Sequence, residues 1–328
     1  MNQLETLRGP AAKQHFASLL PTDAPVFHQP WWLQTCCGDA WDVIILLKNQ
    51  KLQAYFVYAF RPTLWGRSII MPSLTPYLGP YLVLESKDSR IRQQEELMLL
   101  EQLVKCLPSF VRFESRWYPR YLNWLPFYWK KFLQQTRYTH IINIPSDANQ
   151  LRQTFSEKIN REINKGEKKY RVVEASHTEN LYGFTKATFD QKGINLNFTA
   201  PYVERLYQSC MQHRAGRLWH AVDDHGRVGA ALFVVWDTTT AYYLLGARAP
   251  ETGNTGALTF LFWHCFKQLQ GQVSVFDFEG SMVPGIGRYF RSFGAHYVPY
   301  VSIRKTSSWP LRLYDALRYL LKGKLFDF

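Results

Sequence analysis

Val273–Gly294, VSVFDFEGSMVPGIGRYFRSFG, reads as a buried strand, a tight turn and a short helix, with two acids on the strand and two arginines on the helix. Valine and phenylalanine fill Val273–Phe278, the composition of a strand covered on both faces. Alternation along a strand predicts that Asp277 and Glu279 share one face with Val273 and Val275, while Phe276 and Phe278 take the other. Carboxylates on a covered face are costly to desolvate unless cations or donors meet them. Gly280 permits a sharp turn, and Ser281 is placed to cap the helix that carries Arg288 and Arg291. Two readings follow: a structural ion pair at a strand end, or a strand end that opens onto a ligand cleft.

Outward from this stretch the chain repeats itself. Helices are expected over Ala11–Leu20 and Pro30–Cys37, then strands at Trp41–Leu47 and Leu52–Phe60 around a polar turn. A Pro/Gly-rich loop (Met71–Leu82) precedes a long helix, Asp88–Cys106, and a strand, Phe110–Ser115. The aromatic stretch Trp117–Phe132 leads to a strand at Thr139–Ile144. In the second half a helix (Tyr202–His213) precedes strands at Leu218–Val222, Val228–Trp236 and Ala241–Ala247. A loop (Arg248–Gly256), a helix (Ala257–Gln270) and the strand Val273–Glu279 complete the series. Val111–Ser115 matches Phe276–Gly280, each after a long helix, and Tyr128–Phe132 matches Tyr289–Phe293, each before a strand. Two local matches in the same order point to a duplicated α/β unit, and 328 residues fit two domains better than one core. The boundary is expected at 145/146, the second copy running to 307. The tail, residues 308–328, is an amphipathic basic helix opened by Pro310 that either docks on the first domain or lies on an anionic bilayer.

The net charge of +13, from 39 basic and 26 acidic residues, suggests an anionic partner: phosphate, tRNA or an acidic membrane surface. Between the copies, Phe155–Lys169 has the period of a helix, with Phe155, Ile159 and Ile163 as its apolar stripe. Lys158, Arg161 and Lys165 form a neighbouring basic stripe, which reads as a solvated face balanced by Glu157, Glu162 and Glu167, or as a clamp for a phosphate or lipid headgroup. Five cysteines without CxxC spacing argue against a disulfide framework and a thiolate zinc site. The nine histidines show no metal-ligand spacing, so no metal is expected. No GxSxG, GxxxxGK[ST] or GxGxxG motif is present, which speaks against serine hydrolases, P-loop NTPases and dinucleotide enzymes. The start MNQLETLRGP lacks an apolar signal segment and no run is long enough to span a bilayer, so a soluble cytoplasmic protein is expected.

With these features in hand, the chain resembles the Fem family of peptidoglycan aminoacyltransferases and the wider acyltransferases with tandem GNAT-like folds. The resemblance rests on KINREINK (Lys158–Lys165), on FDFEG (Phe276–Gly280) and on GIGRYFRSFG (Gly285–Gly294). It implies an α/β protein of two GNAT-like (acyl-CoA N-acyltransferase-like) domains with mixed sheets flanked by helices, the first diverged and supporting, the second carrying the motifs. It further implies a cytoplasmic enzyme at the inner membrane face that moves an acyl or aminoacyl group to an amine, or hydroxyl, of an anionic cell-wall or polysaccharide precursor. The donor would be aminoacyl-tRNA, or an acyl-CoA. One departure stands out: the family's lysine in the FKxxFG helix is Phe290 here, between Arg288 and Arg291.

Acyl transfer to an amine needs a proton acceptor and donors for the developing oxyanion. Asp277 or Glu279 is the expected base, Tyr243 and Arg288 the expected donors, and Arg291 a further anion contact. Lys158, Arg161, Lys165 and Arg248 would hold phosphate, with Ser281 at the turn. The loop Arg248–Gly256 lacks the glycine spacing of a coenzyme A loop, and Asn254 or Thr255 is expected to cap the following helix. The aromatics of Trp117–Phe132 are expected at the interface between the copies, with Trp124 or Tyr128 lining a cleft. A binder of tRNA or anionic lipid without catalysis, and a coenzyme A-dependent N-acetyltransferase, are the competing readings.

Overall fold

The computed structural model describes residues 4–253, 255–280, 282–313 and 317. In chain order the first elements are β1 (Glu5–Leu7), α1 (Gly9–Leu19), α2 (Pro30–Cys37), β2 (Trp41–Lys48), β3 (Lys51–Thr63), β4 (Gly66–Ile70) and β5 (Pro80–Leu82). Then come α3 (Ser89–Lys105), β6 (Arg112–Arg116), α4 (Leu125–Trp129), β7 (Leu133–Asn143), α5 (Ala148–Gln153), α6 (Glu157–Lys169) and β8 (Arg171–Glu174). The chain continues through α7 (Glu179–Asp190), α8 (Ala200–Gln212), β9 (Gly216–Val222), β10 (Val228–Trp236) and β11 (Thr240–Arg248). It closes with α9 (Ala257–Leu269), β12 (Val275–Asp277), α10 (Pro284–Arg291) and β13 (His296–Thr306).

Two compact units result. One holds residues 1–20, 37–137 and 300–328, the other 21–36 and 138–299. In the first unit β2, β3 and β4 are antiparallel neighbours and β6 lies parallel to β4 after α3. In the second, β9, β10 and β11 form the antiparallel meander and β12 lies parallel to β11 after α9. The same supersecondary order therefore occurs twice, as the internal matches imply. The partition differs from a single cut at 145/146 because the closing strands are exchanged. After β6 and α4, β7 pairs antiparallel with β12, and its residues from Tyr138 onward belong to the second unit. After β12 and α10, β13 pairs antiparallel with β6 and returns the chain to the first unit at Tyr300. Residues 21–36 also join the second unit, where Phe27 packs against Tyr242 with ring centroids 4.7 Å apart. The tail helix expected over 308–328 lies largely outside the described residues.

The aromatic stretch before β7 forms the first unit's own core. Trp117 meets Phe127 at 4.9 Å, Phe113 meets Phe132 at 5.1 Å, and Phe56 stands against both Phe113 and Phe127. This corrects the expectation of an interface role: those rings are the large apolar side chains available to cover β3 and β6. In the second unit α9, apolar on nearly every face, is buried between the sheet and α6. Phe262 and Phe266 of α9 pack with Phe276, Phe278 and Phe293, and each such buried ring stabilises by roughly 1.5–3 kcal/mol. The Ile159 and Ile163 stripe of α6 is buried as its period requires. Gly166 lets α6 close on α9, since a Cβ there would lie 2.9 Å from the Gly256 carbonyl oxygen and 2.5 Å from the Phe260 Cβ.

Candidate functional site

The parallel ladder between β11 and β12 ends at the pair Tyr242–Asp277. Asp277 is 3% exposed and accepts hydrogen bonds from the Thr139 hydroxyl and from the Glu279 N–H, the latter at 2.8 Å. That second bond makes an Asx-type turn, which holds Glu279 in the left-handed region at φ 53°. Strand alternation therefore stops at Asp277, and Glu279 does not share a face with it as the sequence pattern predicts. Gly280 follows at φ 33°, where a Cβ would run into the Tyr138 carbonyl. Burial, and after it the Asp277 carboxylate, push the Glu279 carboxyl well above the usual range, and its Oε1 is buried without a hydrogen-bond partner. Burial and the Asp277 carboxylate thus both disfavour the charged form of Glu279. Burial, and after it Glu279, raise the Tyr243 phenol, and its hydroxyl donates to the Gly246 carbonyl at 3.0 Å.

Phe290 closes this region. It stacks on Phe278 at 4.6 Å and stands edge-on to Tyr243 at 6.0 Å and His140 at 5.7 Å. The Phe290 position, where the resemblance would place a lysine, is thus part of a packed aromatic core. Among the described residues a cavity lies at the N-terminus of α9 and another beside α10, and neither of these is lined by Asp277, Glu279 or Tyr243. Asp277 is committed to Thr139 and to the turn, and Glu279, half-buried, has its Oε1 buried without a partner.

The first cavity, about 260 Å³, sits at the N-terminus of α9. Gly256 is the N-cap residue at φ 77° and no side chain caps the helix. Thr255, expected as a cap, instead accepts from the Tyr170 hydroxyl at 3.1 Å, and Asn254 is outside the described residues. The leading amides of α9 and its dipole are therefore available to an anion. Lys158 and Arg248 line the same cavity, with Glu162, Thr259 and Tyr289. Thr259 donates to Glu162 at 2.7 Å, which leaves the Tyr289 hydroxyl, 3.0 Å away, to donate to Thr259. Burial raises the Tyr289 phenol, so the chain Tyr289–Thr259–Glu162 runs from a neutral hydroxyl to a carboxylate. The sequence reading missed these three residues; Glu162 was taken for charge balance, although its spacing of four from Lys158 puts both on one face.

The second cavity, about 410 Å³, lies beside α10 and is lined by Tyr138, His140, Met282, Arg288, Arg291 and Tyr297 among others. His140, on β7, is 5% exposed and its Nδ1 is buried without a partner. Burial, and next Arg291, lower its pKa, so the imidazole is neutral. A Thr-His pair in an otherwise apolar strand end was the signal for it in the sequence.

The other expected residues divide. Arg161 and Lys165 are exposed and line neither cavity, so only Lys158 of the basic stripe reaches one. Arg248 reaches the α9 cavity and donates to the Gly253 carbonyl at 3.3 Å. Arg288 and Arg291 line the cavity beside α10 together with His140. Trp124 and Tyr128 pack on each other at 5.5 Å in the first unit and line neither cavity. Ser281 lies outside the described residues.

Residues 153–291 match the model of the acetyltransferase (GNAT) domain. No curated protein matches the chain. Among solved structures the chain is similar to FemX, at 12% identity and a TM-score of 0.66 over 98% of this chain and 100% of that one. It is also similar to a tandem GNAT protein from the clavulanic acid biosynthesis pathway, at 10% identity and a TM-score of 0.48 over 92% of this chain and 98% of that one. The C-terminal domain of a putative lysylphosphatidylglycerol synthetase from Agrobacterium fabrum gives 14% identity and a TM-score of 0.47 over 81% of this chain and 86% of that one. The fold is thus the GNAT-like α/β architecture that the motifs imply, and it extends along essentially the whole chain.

Proposed function

We propose that the protein is an acyltransferase that moves an acyl or aminoacyl group onto an amine, or a hydroxyl, of a cell-envelope precursor. The observation that carries this reading is the cationic cavity at the uncapped N-terminus of α9, inside the stretch that matches the acetyltransferase domain. A phosphate of the donor would lie on the α9 amides between Lys158 and Arg248, where helix dipole and cations act together. Attack of the acceptor nitrogen on the acyl carbonyl forms the C–N bond and breaks the bond to sulfur or oxygen of the donor. The nitrogen's proton leaves through Tyr289 and Thr259 to Glu162, and the departing donor group takes up a proton. Glu279 and Tyr243, whose charged forms burial disfavours, lie at the strand end and are assigned no step.

Acyl-CoA thioesters and aminoacyl-tRNA both present phosphates to such a site. The acetyltransferase match supports the first, and the resemblance to the Fem family supports the second. Calorimetric titration with acetyl-CoA and with an aminoacyl-tRNA separates them. Lys158→Gln/Arg248→Gln, both at exposed positions, is expected to weaken the true donor by about tenfold or more while the fold persists. Equal affinity in the double variant, or no binding of either donor, sinks the reading. For the acceptor, the net charge of +13 and the Fem resemblance support an anionic envelope precursor at the inner membrane face, reached by a cytoplasmic protein. Among the described residues no helix is long and apolar enough to cross a membrane. A binder of tRNA or anionic lipid without catalysis is favoured by one observation, the aromatic Phe290 in place of the family's lysine; it predicts donor binding with no transfer to any amine.

A further inference from the structure

The cavity beside α10 has no part in the donor chemistry. Its electrostatics are one-sided: Arg288 and Arg291, one turn apart on α10, face it, and no acidic residue lines it among the described residues. Neither guanidinium has a hydrogen-bond or ionic partner among the described residues, an arrangement with unspent donors for an anion. The wall between them holds His140, 95% buried by its 5% exposure and with Nδ1 unpartnered. A buried polar nitrogen without a partner is costly and marks a place for a ligand hydrogen bond. The rim is apolar and open to solvent. Tyr138 and Tyr297 meet edge to face at 5.7 Å while 40% and 57% exposed, and Met282 is 53% exposed. Large side chains left uncovered round a cationic pocket fit a ligand that is anionic at one end and hydrocarbon at the other.

We propose that this cavity binds an anionic amphiphile, with a phosphate held by Arg288, Arg291 and His140 and an apolar chain laid against Tyr138, Met282 and Tyr297. Its volume of about 410 Å³ suits a phosphate with a short length of chain. The same chemistry is presented by a single lipid phosphate in solution or by an anionic headgroup within a bilayer. The inference does not rest on acyl transfer, and binding is measured without any donor, so the two stand or fall separately.

The test is calorimetric titration of the whole protein with n-octyl phosphate below its micellar concentration, beside inorganic phosphate and octanol. Octyl phosphate is expected to bind about tenfold or more tightly than either part alone, since both ends of the ligand contribute. In Arg288→Gln/Arg291→Gln, changed only at exposed positions, that affinity is expected to fall by about tenfold or more. The imidazole resonance of His140, identified by its loss in His140→Gln, is expected to move during the titration. Unchanged affinity in the arginine variant overturns the proposal, as does octyl phosphate binding no tighter than octanol or phosphate, or a His140 signal that stays still at saturation. Vesicles of equal parts phosphatidylcholine and phosphatidylglycerol separate the sources. Vesicle binding displaced by octyl phosphate supports a bilayer headgroup, and octyl phosphate binding without vesicle binding supports a monomeric lipid phosphate. Vesicle binding that octyl phosphate neither displaces nor matches overturns the pocket.

Discussion

Replacing Glu279 by glutamine keeps the shape of the side chain and removes its proton equilibrium. In the folded protein the carboxyl titrates well above its ordinary 4.5, because burial and the neighbouring Asp277 carboxylate disfavour the charge. The unfolded chain releases that proton near 4.5, the folded one only at higher pH. Folded protein therefore binds more protons than unfolded protein in that window, and stability falls as pH rises through it. The limiting slope for one proton is about 1.4 kcal/mol per pH unit. Glu279→Gln lacks this penalty, so its stability relative to the parent is expected to climb as pH rises above the ordinary carboxyl range, with a slope of at most about 1.4 kcal/mol per pH unit. Any fixed cost of burying the amide beside Asp277 shifts the difference equally at every pH and leaves the slope intact. Urea unfolding followed by tryptophan fluorescence reads the effect, since Trp219, Trp236 and Trp263 lie in the same unit. A difference that stays flat with pH, or that shrinks as pH rises, refutes a raised Glu279 carboxyl, and with it the argument that burial at the strand end disfavours its charge.

Gly256→Ala is expected to cost about 1–3 kcal/mol or more, because the site needs a left-handed φ of 77° and a Cβ there would strike the Glu162 carbonyl; a Tm equal to the parent's would contradict the close α6–α9 approach. Thr139→Val removes a buried donor to Asp277 and should cost about 1–3 kcal/mol, read as an earlier urea midpoint. Phe290→Lys puts the lysine of the resembled motif into an aromatic core, so a loss of about 3 kcal/mol or more is expected, with no gain in transfer to any amine.

Much of the fold is legible in the sequence. Pro30–Cys37 and Val228–Trp236 form elements with the predicted bounds, and α3 (Ser89–Lys105) falls within the expected Asp88–Cys106. Local signals also placed a helix, α10, with Arg288 and Arg291 on it. The acid pair was misjudged because alternation is a property of extended backbone, and one Asp277–Glu279 hydrogen bond ends the extension. His140 and the Tyr289–Thr259–Glu162 chain were missed because the residues that make each site lie far apart in sequence and carry no spacing of their own.

The sequence by itself determined the duplicated α/β order, the amphipathic α6, the helix of α9 and the placing of the motifs that carry the resemblance, since each depends on neighbours within a few residues. Tertiary structure alone decided which unit each closing strand joins, because a strand's edge pairs with whichever open edge meets it. It also decided which charges line a cavity. Lys158 and Arg161 lie three residues apart on one helix, yet only Lys158 lines the cavity at the α9 N-terminus. The reason is physical: a side chain's solvation and pKa are set by what the rest of the chain brings against it, and that is fixed only when the helices and sheet have packed.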